Sequence, residues 1–204
     1  MSDRLSIRDG DVDTAVVARY ERTRREALRA GLGTGAGMLA AATIPGLLGV
    51  RSAFAQADGD AEVLLAAIRL EQTAVVAYGT AASSGLLDPA FLATTKLLRG
   101  QEREHADALV AALRQLGGTP PPAPRARDIP GLRGLGDQRE IASFALELET
   151  MAVAAYYEAH QKLRAAPLLR TGAQIMANEG QHLVLVREAL NRPPVPNAFE
   201  TGKQ

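Results

Sequence analysis

Glu-x-x-His occurs twice in this chain, at Glu102–His105 and at Glu179–His182, each time in the middle of an apolar stripe at helical spacing. The first stripe runs Phe91, Thr95, Leu98, Glu102, His105, Leu109, Ala112, Leu116, and the second Leu168, Gly172, Ile175, Glu179, His182, Val186, Ala189. Steps of three and four place all members of a stripe on one helix face, the face that packs inward. Two further stripes carry one carboxylate each: Leu64, Ile68, Glu71, Val75, Tyr78 and Leu146, Glu149, Val153, Tyr156. An isolated carboxylate is costly to bury. Four of them on four inward faces demand a neutralising partner, and that demand constrains the fold more than any other feature.

The breakers between the stripes set the architecture. Helical segments are expected at about Ala61 to Ser84, Pro89 to Leu116, Asp137 to Leu163 and Leu168 to Asn191, with Asp58 or Asp60 as cap of the first. Gly85 to Pro89 makes a short turn, and Ala165 to Pro167 another. Between them lies a long Pro/Gly/Arg-rich stretch from Gly117 to about Gly136, and the tail from Arg192 is Pro-rich and expected to be irregular. Short loops force antiparallel neighbours, whereas a long linker can travel the length of a bundle. The expected fold is all-α: an antiparallel four-helix bundle made of two helical hairpins joined by a long crossover. Low aromatic content, 4%, and no tryptophan agree with helices packed through Ala and Leu.

The two hairpins resemble each other. Leu70-Glu71-Gln72-Thr73-Ala74-Val75-Val76-Ala77-Tyr78 aligns without gaps to Leu148-Glu149-Thr150-Met151-Ala152-Val153-Ala154-Ala155-Tyr156, and Glu102-Arg103-Glu104-His105 aligns to Glu179-Gly180-Gln181-His182. A duplicated hairpin predicts a pseudo-twofold site. One Glu from each of two helices and one Glu-x-x-His from each of the other two is the ligand set of di-iron and di-manganese carboxylate bundles. Two divalent cations would match the four carboxylates, making Glu71, Glu102, His105, Glu149, Glu179 and His182 the candidate metal ligands. The chain has no cysteine. Only oxygen and nitrogen ligands are available, which suits iron or manganese better than structural zinc.

One Glu-x-x-His alone is weak evidence, since most such pairs are solvated. Two copies, joined to two matching Glu-x6-Tyr segments in the right order, are strong evidence. Tyr78 and Tyr156 lie two turns beyond Glu71 and Glu149 on the same faces. Two readings stay open for them: core aromatics, or groups that orient a metal ligand and so assist catalysis from outside the ligand set. Glu104 and Glu147 are expected in solvent. His160 is expected to be structural or at the surface, and Met151 and Met176 in the core.

Residues 1–55 read as an N-terminal extension and export signal, leaving 56–204 as the folded domain. Thr23-Arg24-Arg25-Glu26-Ala27-Leu28-Arg29 resembles a twin-arginine motif, with Ala27 where that pattern commonly has Phe. Ala30 to Val50 carries no charge, and Ala53-Phe54-Ala55 is a small-x-small cleavage site, so the mature chain is expected to begin near Gln56. The alternative is a retained membrane anchor, against which stand the six glycines and Pro45 of that stretch. The expected partner is therefore the twin-arginine export machinery, with a periplasmic, envelope or extracellular location and no membrane attachment after cleavage. The formal charge is zero and shows no basic face for nucleic acid.

From about Ala61 to Asn191 the chain resembles the ferritin-like superfamily, specifically the exported bacterial ferritin-like domain proteins, and its six ligand positions resemble those of bacterioferritin and rubrerythrin. The resemblance implies two iron ions, or alternatively manganese, with O2 or H2O2 as oxidant. Glu71, His105 and Glu102 would hold one side and Glu149, His182 and Glu179 the other, with Glu102 and Glu179 as bridges. In bacterioferritin-like sites tyrosines also lie near the metals, at the positions matched by Tyr78 and Tyr156. Arg103 stands where the haem-ligating Met of bacterioferritin would be, so no haem is expected. The short Pro-rich tail offers no fifth helix for a storage cage, and a homodimer is the assembly to test. The implied function is a redox metalloprotein that oxidises Fe(II). The alternatives are a non-catalytic metal-binding or stress-related structural bundle, and a di-manganese catalase-like enzyme.

Overall fold

The computed structural model describes residues 52–202. The twin-arginine motif and the uncharged stretch fall outside the described residues. Four long helices account for the domain: α1, Asp60–Ala82; α2, Pro89–Gln115; α3, Gln138–Ala159; and α4, Ala166–Ala189. No strand occurs among the described residues. The most extensive packing is α1 on α2 and α3 on α4, the two hairpins.

Helix starts locate the ends of the bundle. Asp88 caps α2, its Oδ1 accepting from Phe91 N at 2.8 Å, and Asp137 caps α3 by accepting from Glu140 N at 2.8 Å. Gln138 ties the two starts together, its Oε1 accepting from Asp88 N at 2.7 Å and its Nε2 donating to Asp88 Oδ2 at 2.8 Å. Helices α2 and α3 therefore begin at the same end, and residues 116–137 must travel the whole bundle to join them. Two 3-10 turns, Ala126–Asp128 and Leu132–Gly134, punctuate this crossover. Ile129 and Leu132 are buried, and Gln72 Nε2 of α1 donates to Pro121 O at 3.3 Å.

At the opposite end the expected capping is rearranged. The N-cap of α1 is Gly59, with no side-chain cap. Asp60 instead accepts from Arg164 N at 2.7 Å and Ala165 N at 3.2 Å, supplying the loop into α4 with the acceptor that Ala165 lacks. Helix α3 stops at Ala159, four residues before the expected Leu163, and α4 starts at Ala166 with Pro167 in its first turn. Proline opens that helix, where a missing N–H costs nothing, and does not end a turn. Leu116, placed in the buried stripe by spacing, caps α2 and is exposed, and Leu113 takes the buried position.

The core also reaches upstream of α1. Residues 52–56 are helical, Phe54 is buried, and Lys162 Nζ donates to three carbonyls, Phe54 O and Ala55 O at 2.7 Å and Ala57 O at 3.1 Å. An ammonium has three protons to give, and all three are used. Cleavage after Ala55 would thus fall inside the packed unit.

The tail beyond α4 is irregular but docked. Arg187 Nη2 meets Glu200 Oε2 at 2.8 Å, and Gly202, at φ +64°, presses on α3. A Cβ at Gly202 would stand 2.3 Å from Thr150 O, so only glycine fits. Crossover and tail thus each lie across one helix, α1 and α3 respectively. Twelve buried residues on each of these helices, against seven on α2 and on α4, follow from that cover.

Candidate metal centre

The stripes deliver their ionisable residues to one place. Glu71, Glu102, Glu149, Glu179 and His182 are essentially inaccessible, with relative exposures of 0–1%. His105 keeps 12% of its side chain exposed. Its Nδ1 lies 3.4 Å from Glu71 Oε2, 3.6 Å from Glu102 Oε2 and 3.0 Å from Glu179 Oε1. His182 Nδ1 lies 3.2 Å from Glu102 Oε1, 3.4 Å from Glu149 Oε2 and 3.2 Å from Glu179 Oε2. The imidazole rings stack at 23°, with centroids 6.0 Å apart. Cross-pairing of α2 residues with α4 residues, in reversed order along the chain, follows from the antiparallel packing of those helices.

Two groups of four side chains could each hold a metal ion: Glu71, Glu102, His105 and Glu179, and Glu102, Glu149, Glu179 and His182. Within each group one ligand atom per residue lies within 4.8 Å of the others. Glu102 and Glu179 belong to both. All six sequence-predicted ligand residues are brought together.

A metal is tested best by what the protein leaves unsatisfied. Among the described residues ten buried side-chain nitrogen or oxygen atoms lack a hydrogen bond, and seven belong to these six residues. They are Glu71 Oε2, Glu102 Oε1, His105 Nδ1, Glu149 Oε2, both Glu179 oxygens and His182 Nδ1. Buried polar groups are normally bonded. Orphan acceptors concentrated around one point, with nitrogen and carboxylate donors in two overlapping sets, fit divalent cations.

The electrostatics carry the same strain. Burial, then the neighbouring carboxylates, raise Glu102 well above the carboxylate range, and burial followed by Glu179 pushes Glu149 up to about 7. For His105, burial disfavours the charged ring, but Glu102, Glu179 and Glu71 together outweigh it and push its pKa up to about 12. His182 is raised likewise, burial being outweighed by Glu102, Glu149 and Glu179. Burial also opposes ionisation of Glu179, yet contacts with both histidines hold it below its ordinary value. Protons thus do part of the neutralising that cations would do.

The hydroxyls of Tyr78 and Tyr156 both reach carboxylates of the centre. The Tyr78 hydroxyl donates to Glu149 and the Tyr156 hydroxyl to Glu71, both fully buried. Burial, and then the nearby carboxylates, raise both phenols well above their ordinary pKa, so they stay protonated donors. Each tyrosine fixes the carboxylate of the other hairpin.

One residue of the centre escaped the spacing argument. Gln101 Oε1 accepts from His182 Nε2 at 2.9 Å. Its signal in the sequence is position alone, one residue before Glu102 and so turned toward α4. His160 is structural, as expected, its Nδ1 lying 2.6 Å from Tyr156 O. Met151 and Met176 pack against the core, and Glu104 is exposed.

The described domain coincides with the region matched by a family model described as a ferritin-like domain, residues 59–192. No curated protein and no solved structure gave a match.

Proposed function

The chain belongs to the ferritin-like domain family, and we propose that its buried centre holds two iron ions and oxidises Fe(II) with O2 or H2O2. The observation that carries this reading is the overlap of the two four-residue groups at Glu102 and Glu179. Glu102 and Glu179 would serve both cations, which is what lets two metal ions act as a pair. When bound, iron supplies the redox chemistry, passing electrons from Fe(II) to the oxidant.

The chain's own residues hold the geometry. Glu71 and His105 serve one position and Glu149 and His182 the other, while Tyr156 and Tyr78 hold Glu71 and Glu149 in place. Leu98, Leu183 and Val186, all at 0% exposure, wall the centre's helices against water. On binding a cation the two histidines, and the carboxylates Glu102 and Glu149 whose pKa values are raised, would give up protons. With H2O2, two Fe(II) would reduce one peroxide to two waters, consuming two protons.

Export by the twin-arginine route belongs to the same proposal. Its support is the motif at residues 23–29, the uncharged stretch that follows, and the fit of a route that carries folded proteins to a domain with a buried metal centre.

The decisive experiment is elemental analysis of the protein after loading with Fe(II) or Mn(II), beside a Glu102→Ala, Glu179→Ala double variant. Fe(II) oxidation by O2 and by H2O2 is then followed. Near two irons per chain, lost in the variant, with turnover faster than free Fe(II), is the expected result. Less than about half a metal per chain under every loading condition would sink the centre. Full loading without turnover would leave a structural metal bundle, and preference for manganese with peroxide turnover a catalase-like one.

A further inference from the structure

The two halves of the centre are built alike and finished differently. Both metal positions share Glu102 and Glu179, and each adds one buried glutamate held by one buried tyrosine. Charge and carboxylate geometry therefore match on the two sides. The histidines do not.

His182 has 1% of its side chain exposed and its Nε2 is bonded to Gln101. With the amide oxygen accepting the Nε2 proton, Nδ1 is left facing Glu102, Glu149 and Glu179, so the ring is oriented before any cation arrives and a cation has only the Nδ1 proton to replace. The internal repeat places Asn178 where Gln101 stands, one residue before the second Glu-x-x-His. Asparagine is one methylene shorter, and the side chain of Asn178 makes no hydrogen bond among the described residues. His105 Nε2 likewise has no partner there, and 12% of that side chain reaches solvent.

We propose that the two positions are inequivalent by construction: the one held by His182 is tight and resident, and the one held by His105 is exchangeable, the position at which divalent metal arrives and leaves. This rests on the dinuclear reading above. A partner that fixes a ligating histidine is worth about 10–100-fold in metal affinity. Preorganisation adds to it, because the ring of His182 is already buried and hydrogen-bonded. Gln101 is thus a positioning residue for one metal only, and its absence from the repeat makes a symmetric scaffold asymmetric.

Anaerobic titration of the metal-free full chain with Co(II), read by cobalt absorption and by heat, tests this. Two phases of one equivalent each, separated by about 10–100-fold, are expected. Gln101→Leu should weaken the tighter phase by that factor and leave the weaker one unchanged, while the unpaired Nε2–H of buried His182 lowers the metal-free melting temperature. Gln101→Glu should restore the tighter phase, and His105→Ala should abolish only the weaker phase. Two equivalents taken up with one affinity, or equal weakening of both phases in Gln101→Leu, would overturn the inference alone. No cobalt uptake by the unaltered chain would overturn the dinuclear centre itself, and the inference with it.

Discussion

The Tyr78 hydroxyl of α1 donates to Glu149 of α3, in the other hairpin and 71 residues further along the chain. Tyr156 returns the bond to Glu71. Each hairpin therefore depends on the other to orient its carboxylate, and a candidate ligand is held by a residue that its own half of the sequence does not contain.

Tyr78→Phe should reduce affinity at the Glu149 position about 10-fold and leave the Glu71 position alone, with Tyr156→Phe doing the reverse. Each should also lower metal-free stability by about 1–2 kcal/mol, since a buried carboxylate oxygen loses its donor. Isothermal titration and thermal melting read both effects. Unchanged affinities in the two variants would return the tyrosines to core packing.

The metal-free and metal-loaded forms should respond oppositely to pH. Glu149 titrates near 4.5 when unfolded and about 7 when folded, so over that window the unfolded chain sheds a proton that the folded one keeps, and stability falls as pH rises. The contribution of His105 is fully present below 6.5 and is lost as pH climbs toward about 12, the same sign. Glu102 and His182, both raised, act alike, and Glu179, lowered, opposes them. The chelator-treated protein should therefore melt higher at pH 5 than at pH 8, while the increment added by metal grows with pH. Scanning fluorimetry across that range checks it. A metal-free form that gains stability with pH would contradict the assignment.

Glu102→Gln should cost binding and leave metal-free stability nearly unchanged. Burial and three like charges already favour the neutral carboxyl that the amide imitates. Because Glu102 serves both groups, metal uptake should fall below one per chain, whereas Glu71→Gln should cost one metal only. Melting curves beside elemental analysis decide it.

A chain beginning at Gln56 lacks Phe54, and Lys162 loses two of its three carbonyls. Removing a buried Phe costs about 3–5 kcal/mol. Such a chain should melt on the order of 10 °C below one beginning at Ser52. Equal melting temperatures would show that the helical segment at residues 52–56 contributes nothing to the domain.

The convergence of the six candidate ligands was legible because helical periodicity is a local property: Glu71, Glu102, His105, Glu149, Glu179 and His182 declare their faces within a few residues of themselves. The hairpins and the crossover followed from where Gly and Pro cluster. What stayed hidden involves partners far along the chain. Asp60 looked like the cap of α1, but its acceptors are used 104 residues away at Arg164. Gln101 is an unremarkable polar residue until α4 arrives with His182. Pro167 carries two meanings, helix breaker and helix opener, and only the packed loop chooses between them. The tail after Arg192 has the composition of an irregular segment and is one, yet Gly202 and Glu200 bind it to α3 and Arg187. Lys162 reads as a surface charge, although its three carbonyl partners lie more than 100 residues upstream.

The crossover sets an order on assembly. Each hairpin joins neighbours in sequence and has little chain to close, so both can form quickly and separately. Neither possesses a complete coordination shell: every position draws on Glu102 from the first half and Glu179 from the second. The shells close only when residues 116–137 have spanned the bundle and laid the second hairpin on the first. On the proposed reading metal capture would be postponed to the last act of folding, since a half-made chain offers neither four-residue group complete. A bound ion would certify that the whole domain had come together.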